Sequence, residues 1–144
     1  MTFYSEIFDL FLLKIADSDL LQNLSDEDIM NLCNKYLKIA ISEFSSCKNN
    51  LSNRSDEAQT FNIKLSDIEI NILSSLMVIE WIRPYITNRM NLSSFLADKD
   101  YKTYSQANHL KVLIDLKNNL SDEVERNMID YTWKNFDINN LGDC

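Results

Sequence analysis

Leu65-Ser66-Asp67-Ile68-Glu69-Ile70-Asn71-Ile72-Leu73, continued by Ser74-Ser75-Leu76-Met77-Val78-Ile79-Glu80-Trp81, decides the fold. Ser66 is a helix-capping residue, and Glu69, three positions on, can reach back to the amide of Ser66. The two side chains then satisfy two otherwise unpaired amides at the start of a helix. Behind them Ile72, Leu73, Leu76, Met77, Ile79 and Trp81 carry a helix. Pro84 removes one intrahelical hydrogen bond and predicts a kink or an end at Arg83 or one turn later.

The same start recurs upstream in Leu24-Ser25-Asp26-Glu27-Asp28-Ile29, with Ser25 as cap, three acids at the positive end of the dipole and Leu24 placed to staple onto Ile29. Ile29, Leu32, Cys33, Tyr36, Leu37, Ala40 and Phe44 then step by three and four, which predicts a helix from Asp26 to about Cys47. Before it, Phe3, Ile7, Phe8, Leu10, Phe11, Leu12 and Ile15 predict a short helix from about Thr2 to Asp17, apolar on more than one face. Ser18 to Leu24 reads as a polar connection, and Lys48 to Lys64 as the longest one.

Downstream, Asn88 to Lys102 has no clean period and reads as a packed loop or a short helix. Thr103 with Gln106 forms another capping-box pair. Ala107, Leu110, Leu113, Ile114, Leu116, Leu120, Val124, Met128 and Tyr131 predict one long helix from Tyr104 to about Lys134, with the third Leu-Ser-Asp, at 120 to 122, inside it. The unequal intervals of the three triplets mark capping chemistry, not a solenoid. The expectation is an all-α fold: residues 1–134 as one bundle of about four main helices with long connecting loops, and 135–144 as a C-terminal docking tail.

Composition supports this class and excludes others. In 144 residues Gly142 and Pro84 are the only glycine and proline, whereas α/β and all-β domains need several glycines at positive-φ turns. Phosphate-cradling loops, dinucleotide fingerprints and nucleophile elbows cannot be written with that single glycine. A net charge of -8, with no two basic residues adjacent, opposes phosphate binding. Cys33, Cys47 and Cys144 fit neither a disulfide framework nor a zinc site and read as thiols of a reducing compartment. The apolar N-terminus is interrupted by Glu6, Asp9 and Lys14 and lacks a cleavage site, and no apolar run approaches ~18 residues, so neither secretion nor a membrane span is expected.

The candidate chemistry is thin. His109, the single histidine, reads as a satisfied, partly buried side chain, because neither an orienting partner nor further metal ligands stand near it in sequence. Asp26, Glu27 and Asp28 lack the alternation and central glycine of a calcium loop. Arg54, Asp56 and Glu57, and likewise Asp98 and Asp100, read as solvated loop faces. Catalytic, cofactor-binding and metal-binding residues are therefore not assigned, and no enzymatic activity is expected. The aromatic residues hold more interest, since a large body with a polar tip suits a half-wet contact. Trp81 reads as core; Trp133 and Phe136 suit a core or an interface equally. The candidate partner-facing residues are Tyr101, Tyr104, Trp133, Phe136, Ile138 and Leu141, the last three on the polar tail.

Leu65 to Leu73, followed by Met77-Val78-Ile79-Glu80-Trp81-Ile82 and then by Asp100-Tyr101-Lys102-Thr103-Tyr104-Ser105-Gln106-Ala107-Asn108-His109-Leu110, resembles the small neck proteins of tailed bacteriophages, the head-tail connectors or adaptors. The resemblance spans Phe61 to Trp133. It implies a helical bundle without catalytic residues or cofactors, commonly a twelve-fold homo-oligomeric ring in the virion neck. Such a ring binds the portal protein on one side and a downstream neck or tail protein on the other, and DNA passes through without specific binding. The protein would be made in the host cytoplasm. An acidic surface suits such a conduit. The acidity also suits a reading from another class, a small acidic intracellular inhibitor or nucleic-acid mimic, although the acids here favour capping positions and are diluted by Asn and Ser.

Overall fold

The computed structural model describes residues 1–15, 24–95 and 100–135, with side chains throughout except at 89–95 and 100–107. The elements run β1 (Thr2–Phe3), α1 (Tyr4–Lys14), α2 (Asp26–Glu43), β2 (Arg54–Ser55), β3 (Thr60–Phe61), α3 (Asp67–Phe95) and α4 (Asp100–Lys134). The fold is mostly helical, four helices packed together beside a small three-stranded antiparallel sheet.

α3 is the central element, with α1, α2 and α4 each packed against it. Its sequence explains why: from Ile72 to Glu80 every residue is buried, and a helix covered on all sides belongs at the centre of its fold. Its start follows the capping reading closely. The Ser66 amide donates to Glu69 Oε2 at 3.2 Å, and the Glu69 amide donates to Ser66 Oγ at 3.3 Å.

Pro84 does not end α3, which continues to Phe95. Packing of the flanking turns outweighs the missing bond, and Pro84 itself lies exposed, where its ring has room. The stretch 88–102 is correspondingly less loop-like than expected, since α3 occupies it to Phe95 and α4 begins at Asp100. Thr103 and Gln106 thus lie inside α4 and do not cap its start.

α1 buries Tyr4, Ile7, Phe8 and Phe11 and is shorter than expected at its start, because Thr2 and Phe3 are drawn into the sheet. α2 buries Cys33, Leu37 and Ala40 on one stripe, and Ser25 caps it by accepting from the Asp28 amide at 3.2 Å. It ends at Glu43, not near Cys47, because Phe44 leaves the helical backbone and turns its ring into the core, against Tyr131 at 5.4 Å between centroids.

The Lys48 to Lys64 connection is more than a polar loop. It supplies β2 and β3, and β3 lies between β1 and β2, with Thr2 and Arg54 both opposite Phe61 and with Phe3 and Ser55 both opposite Thr60. Phe61 is fully buried and meets Tyr4 in a tilted ring contact at 5.1 Å between centroids, while the Leu65 amide donates to the buried Thr2 Oγ1 at 2.8 Å. The turn between β2 and β3 needs a left-handed residue and uses Gln59, at φ 53°, where a glycine would be expected. The carboxylate of Asp56, read as part of a solvated face, receives the Tyr4 hydroxyl at 2.7 Å and faces Arg54 Nε at 3.3 Å. The Tyr4 bond is the main influence that lowers the carboxyl's pKa.

Candidate partner-binding surface on α4

α3 and α4 run antiparallel, and one polar cluster fixes their register. Glu69, only 3% exposed, accepts the Tyr131 hydroxyl at 2.9 Å and both oxygens receive Asn49 Nδ2, at 3.0 and 2.8 Å. The Tyr131 oxygen in turn accepts the Lys48 amide at 2.7 Å. A carboxylate buried with this many donors is compensated. Burial, first, then pushes the Tyr131 phenol well above its ordinary range, although the Lys48 amide works the other way. Tyr131 is therefore a structural tie and not an exposed interface aromatic.

With that register set, α4 presents two flanks. The face toward α3 carries Leu120, Val124 and Tyr131, of which Val124 and Tyr131 are fully buried. Off that face stand Val112 and Leu116 on one side, 64% and 46% exposed, and Ile129 and Trp133 on the other, 55% and 68% exposed. Each pair is spaced i, i+4, and at about 100° per residue the two pairs fall on different sides of the helix.

Ile129 and Trp133 form part of a groove of about 600 Å³ between α4 and the end of α2. Met128, Thr132 and Glu125 line it from α4, and Glu43, Ser45 and Ser46 from the other side. Among the described residues its charged lining consists of Glu43 and Glu125, both acidic. Glu43 also adjoins Glu80, a largely buried carboxyl on α3 whose pKa is raised chiefly by burial and then by a hydrogen bond with Glu43. Arg83 Nε lies 3.2 Å from Glu80 Oε1, yet that oxygen has no aligned hydrogen bond among the described residues.

On the other side, a smaller groove is lined by Lys14, Trp81, Ile82, Leu116, Leu120 and Glu123, among others. Lys14 Nζ is already engaged with Asn71 Oδ1, Ser74 Oγ and Ser75 Oγ at 2.9, 2.8 and 2.7 Å, tying α1 to α3. Burial depresses its pKa.

Of the sequence-predicted candidates, Trp133 lies on the surface at the larger groove. Tyr101 and Tyr104 belong to the first turns of α4, and Phe136, Ile138 and Leu141 lie outside the described residues. Trp81 packs against the core and meets Tyr85 edge-on at 5.5 Å. His109 is exposed, contrary to the expected partly buried state, because it lies well ahead of Val124, the first buried side chain of α4 among the described residues. Cys33 is buried and Cys47 half-buried, both as free thiols; burial lifts Cys33 to about 11, which keeps it protonated and unreactive.

Sequence reasoning did not single out Val112 or Ile129. The available signal was negative: both are apolar residues of α4 that fall outside its core-facing stripe. Among the described residues, no group of three or more His, Cys, Asp or Glu side chains is placed to hold a metal ion, and no helix is long and apolar enough to cross a membrane. Compared with family models, curated proteins and solved structures, the chain finds no match.

Proposed function

We propose that this protein is a structural assembly component, a head-tail connector of a tailed phage, that joins neighbouring proteins through the surface of α4. The observation that carries the reading is the placement of exposed apolar side chains on two sides of α4, Val112 with Leu116 on one and Ile129 with Trp133 beside the larger groove on the other, while a third face of the helix is fixed to the core. Exposed large apolar residues collected beside a groove are a feature of protein-binding surfaces. The resemblance of the 65–82 and 100–110 segments to phage neck proteins gives that surface its biological setting, with a ring of copies between the portal and the next neck or tail protein. The acidic balance of the chain is compatible with a passage through which DNA slides.

The test is imaging of the purified protein alone and with portal rings. Closed rings, or a ring seated on the portal, support the proposal. A tight one-to-one complex with a basic nucleic-acid enzyme, and no ring under either condition, would replace it with the inhibitor reading.

A further inference from the structure

We infer that the α2–α4 groove is a docking site for a basic amphipathic segment of a partner protein, one that offers bulky apolar side chains flanked by Lys or Arg. The inference rests on the reading of α4 as a protein-binding surface and goes on to name the chemistry of what it binds.

The volume and the lining set the first half of the partner's description. About 600 Å³ lies within the ~300–1,000 Å³ range of pockets that enclose compact ligands, and it can take apolar side chains presented together. Met128, Ile129 and Trp133 supply the apolar walls, with Trp133 large enough to cover an inserted side chain. Ser45, Ser46 and Thr132 offer hydroxyls at the edge.

Charge sets the second half. Among the described residues the charged lining is Glu43 and Glu125, one on each side; Glu43 already shares Arg83, whose Nη2 lies 3.8 Å from its Oε1, so Glu125 is the carboxylate that first meets an occupant carrying cations beside its apolar anchors. Arg126, next along α4, is not part of the lining and donates to the Asp122 carbonyl at 3.3 Å. The same charges disfavour two other occupants. The segment 136–144 carries Asp137 and Asp143 and no Lys or Arg, so it would bring further negative charge to an acidic rim. A second copy suits the groove no better, because no two basic residues are adjacent in the sequence and the chain offers no basic segment to place in it. A basic partner segment turns that field into attraction and into faster encounter.

The experiment uses the full chain and a panel of short synthetic amphipathic peptides with one fixed apolar spacing and flanking residues varied from Lys and Arg to Asp and Glu. Affinity is measured by fluorescence anisotropy, and the site is mapped by amide chemical-shift changes. The expected result is saturable binding of the basic peptides, weakening with salt, with shifts at Ser45, Ser46 and Met128 to Trp133. Ile129→Ser and Trp133→Ala should each weaken binding about tenfold or more in a protein that circular dichroism shows to be still folded. Glu125→Lys should invert the preference toward the acidic peptides.

Three results would overturn the inference: equal binding of acidic and basic peptides, basic-peptide shifts that map elsewhere, or affinity unchanged by both apolar substitutions. Its failure is separable from that of the connector reading. Rings that still assemble on the portal with an inert groove would leave the connector reading standing, whereas a groove that binds basic peptides in a protein that never forms rings would leave only the docking site.

Discussion

The Tyr131 hydroxyl, near the end of α4, donates to the Glu69 carboxylate in the first turn of α3 at 2.9 Å, and the last helix is thereby bolted to the cap of the central one. Glu69 thus has two duties, in the capping box with Ser66 and in the buried tie with Tyr131 and Asn49.

These two duties predict unequal costs within a single capping box. Ser66→Ala should lower stability by about 1 kcal/mol, the usual value of a lost cap. Glu69→Ala should cost about 3 kcal/mol or more, since it also strands the buried partners of a charged acceptor. Tyr131→Phe should fall between them, about 1–3 kcal/mol, because it leaves the Lys48 amide and one carboxylate oxygen short of a partner. Urea unfolding of the three variants checks the order; equal losses for Ser66→Ala and Glu69→Ala would refute it.

Pro84 sits within α3 at an exposed position where the helix continues on both sides. Pro84→Ala restores the amide that can donate to the Glu80 carbonyl and relieves ring crowding, so stability should rise by about 1–3 kcal/mol. A higher melting temperature with unchanged helical dichroism is the expected readout.

Glu80 should make stability depend on pH. Its pKa is raised in the fold, chiefly by burial, so the fold favours its protonated form more than the unfolded chain does. That contribution is present at acid pH and is lost as pH rises through the folded pKa, above the ordinary carboxylate range. Glu80→Gln should therefore gain melting temperature over the parent at mildly alkaline pH and lose most of that advantage near pH ~4, about where a free glutamate titrates. Melts across that range decide it; a constant difference would mean that burial and the Arg83 pair cancel, and a variant less stable than the parent at alkaline pH would mean that the Arg83 pair dominates.

Gln59 stands in the left-handed region in the turn that joins β2 to β3. Left-handed backbone costs a non-glycine residue about 1–2 kcal/mol, and glycine returns part of this as unfolded-chain entropy. Gln59→Gly should leave a net gain of a few tenths to about 1 kcal/mol, whereas a β-branched replacement such as Gln59→Val should destabilise. Chemical denaturation of both variants is the measurement.

How much could be read beforehand follows the range of the interactions. The caps at Ser25 and Ser66 and the stripes of α2 and α4 are local, set by residues three or four apart, and they were legible. The strands were not, because two-residue strands have no period to detect and Thr2 pairs with Phe61 only once the chain has folded back. The scarcity of glycine pointed to the right class but hid this turn, since Gln59 accepts the backbone that glycine usually takes. Trp133 was identified because of its residue type and position, but the groove around it depends on where α2 stops. That end is set by Phe44 turning toward Tyr131, a contact between residues far apart in sequence.

The central place of α3 also imposes a timetable on synthesis. Ile7, Phe8 and Phe11 of α1 are fully covered only when α3, extending through Ile82, the last buried residue among its described side chains, is there to receive them. At the ~5–20 residues per second of ribosomal elongation, the interval between the end of α1 and that residue is roughly 3–14 s. Throughout it the nascent chain carries two phenylalanines and an isoleucine whose cover is incomplete, with Tyr36 of α2 meeting Phe11 edge-on at 6.0 Å. The first helix to be made is among the last to be buried, and its early exposure to chaperones is built into the order of the elements.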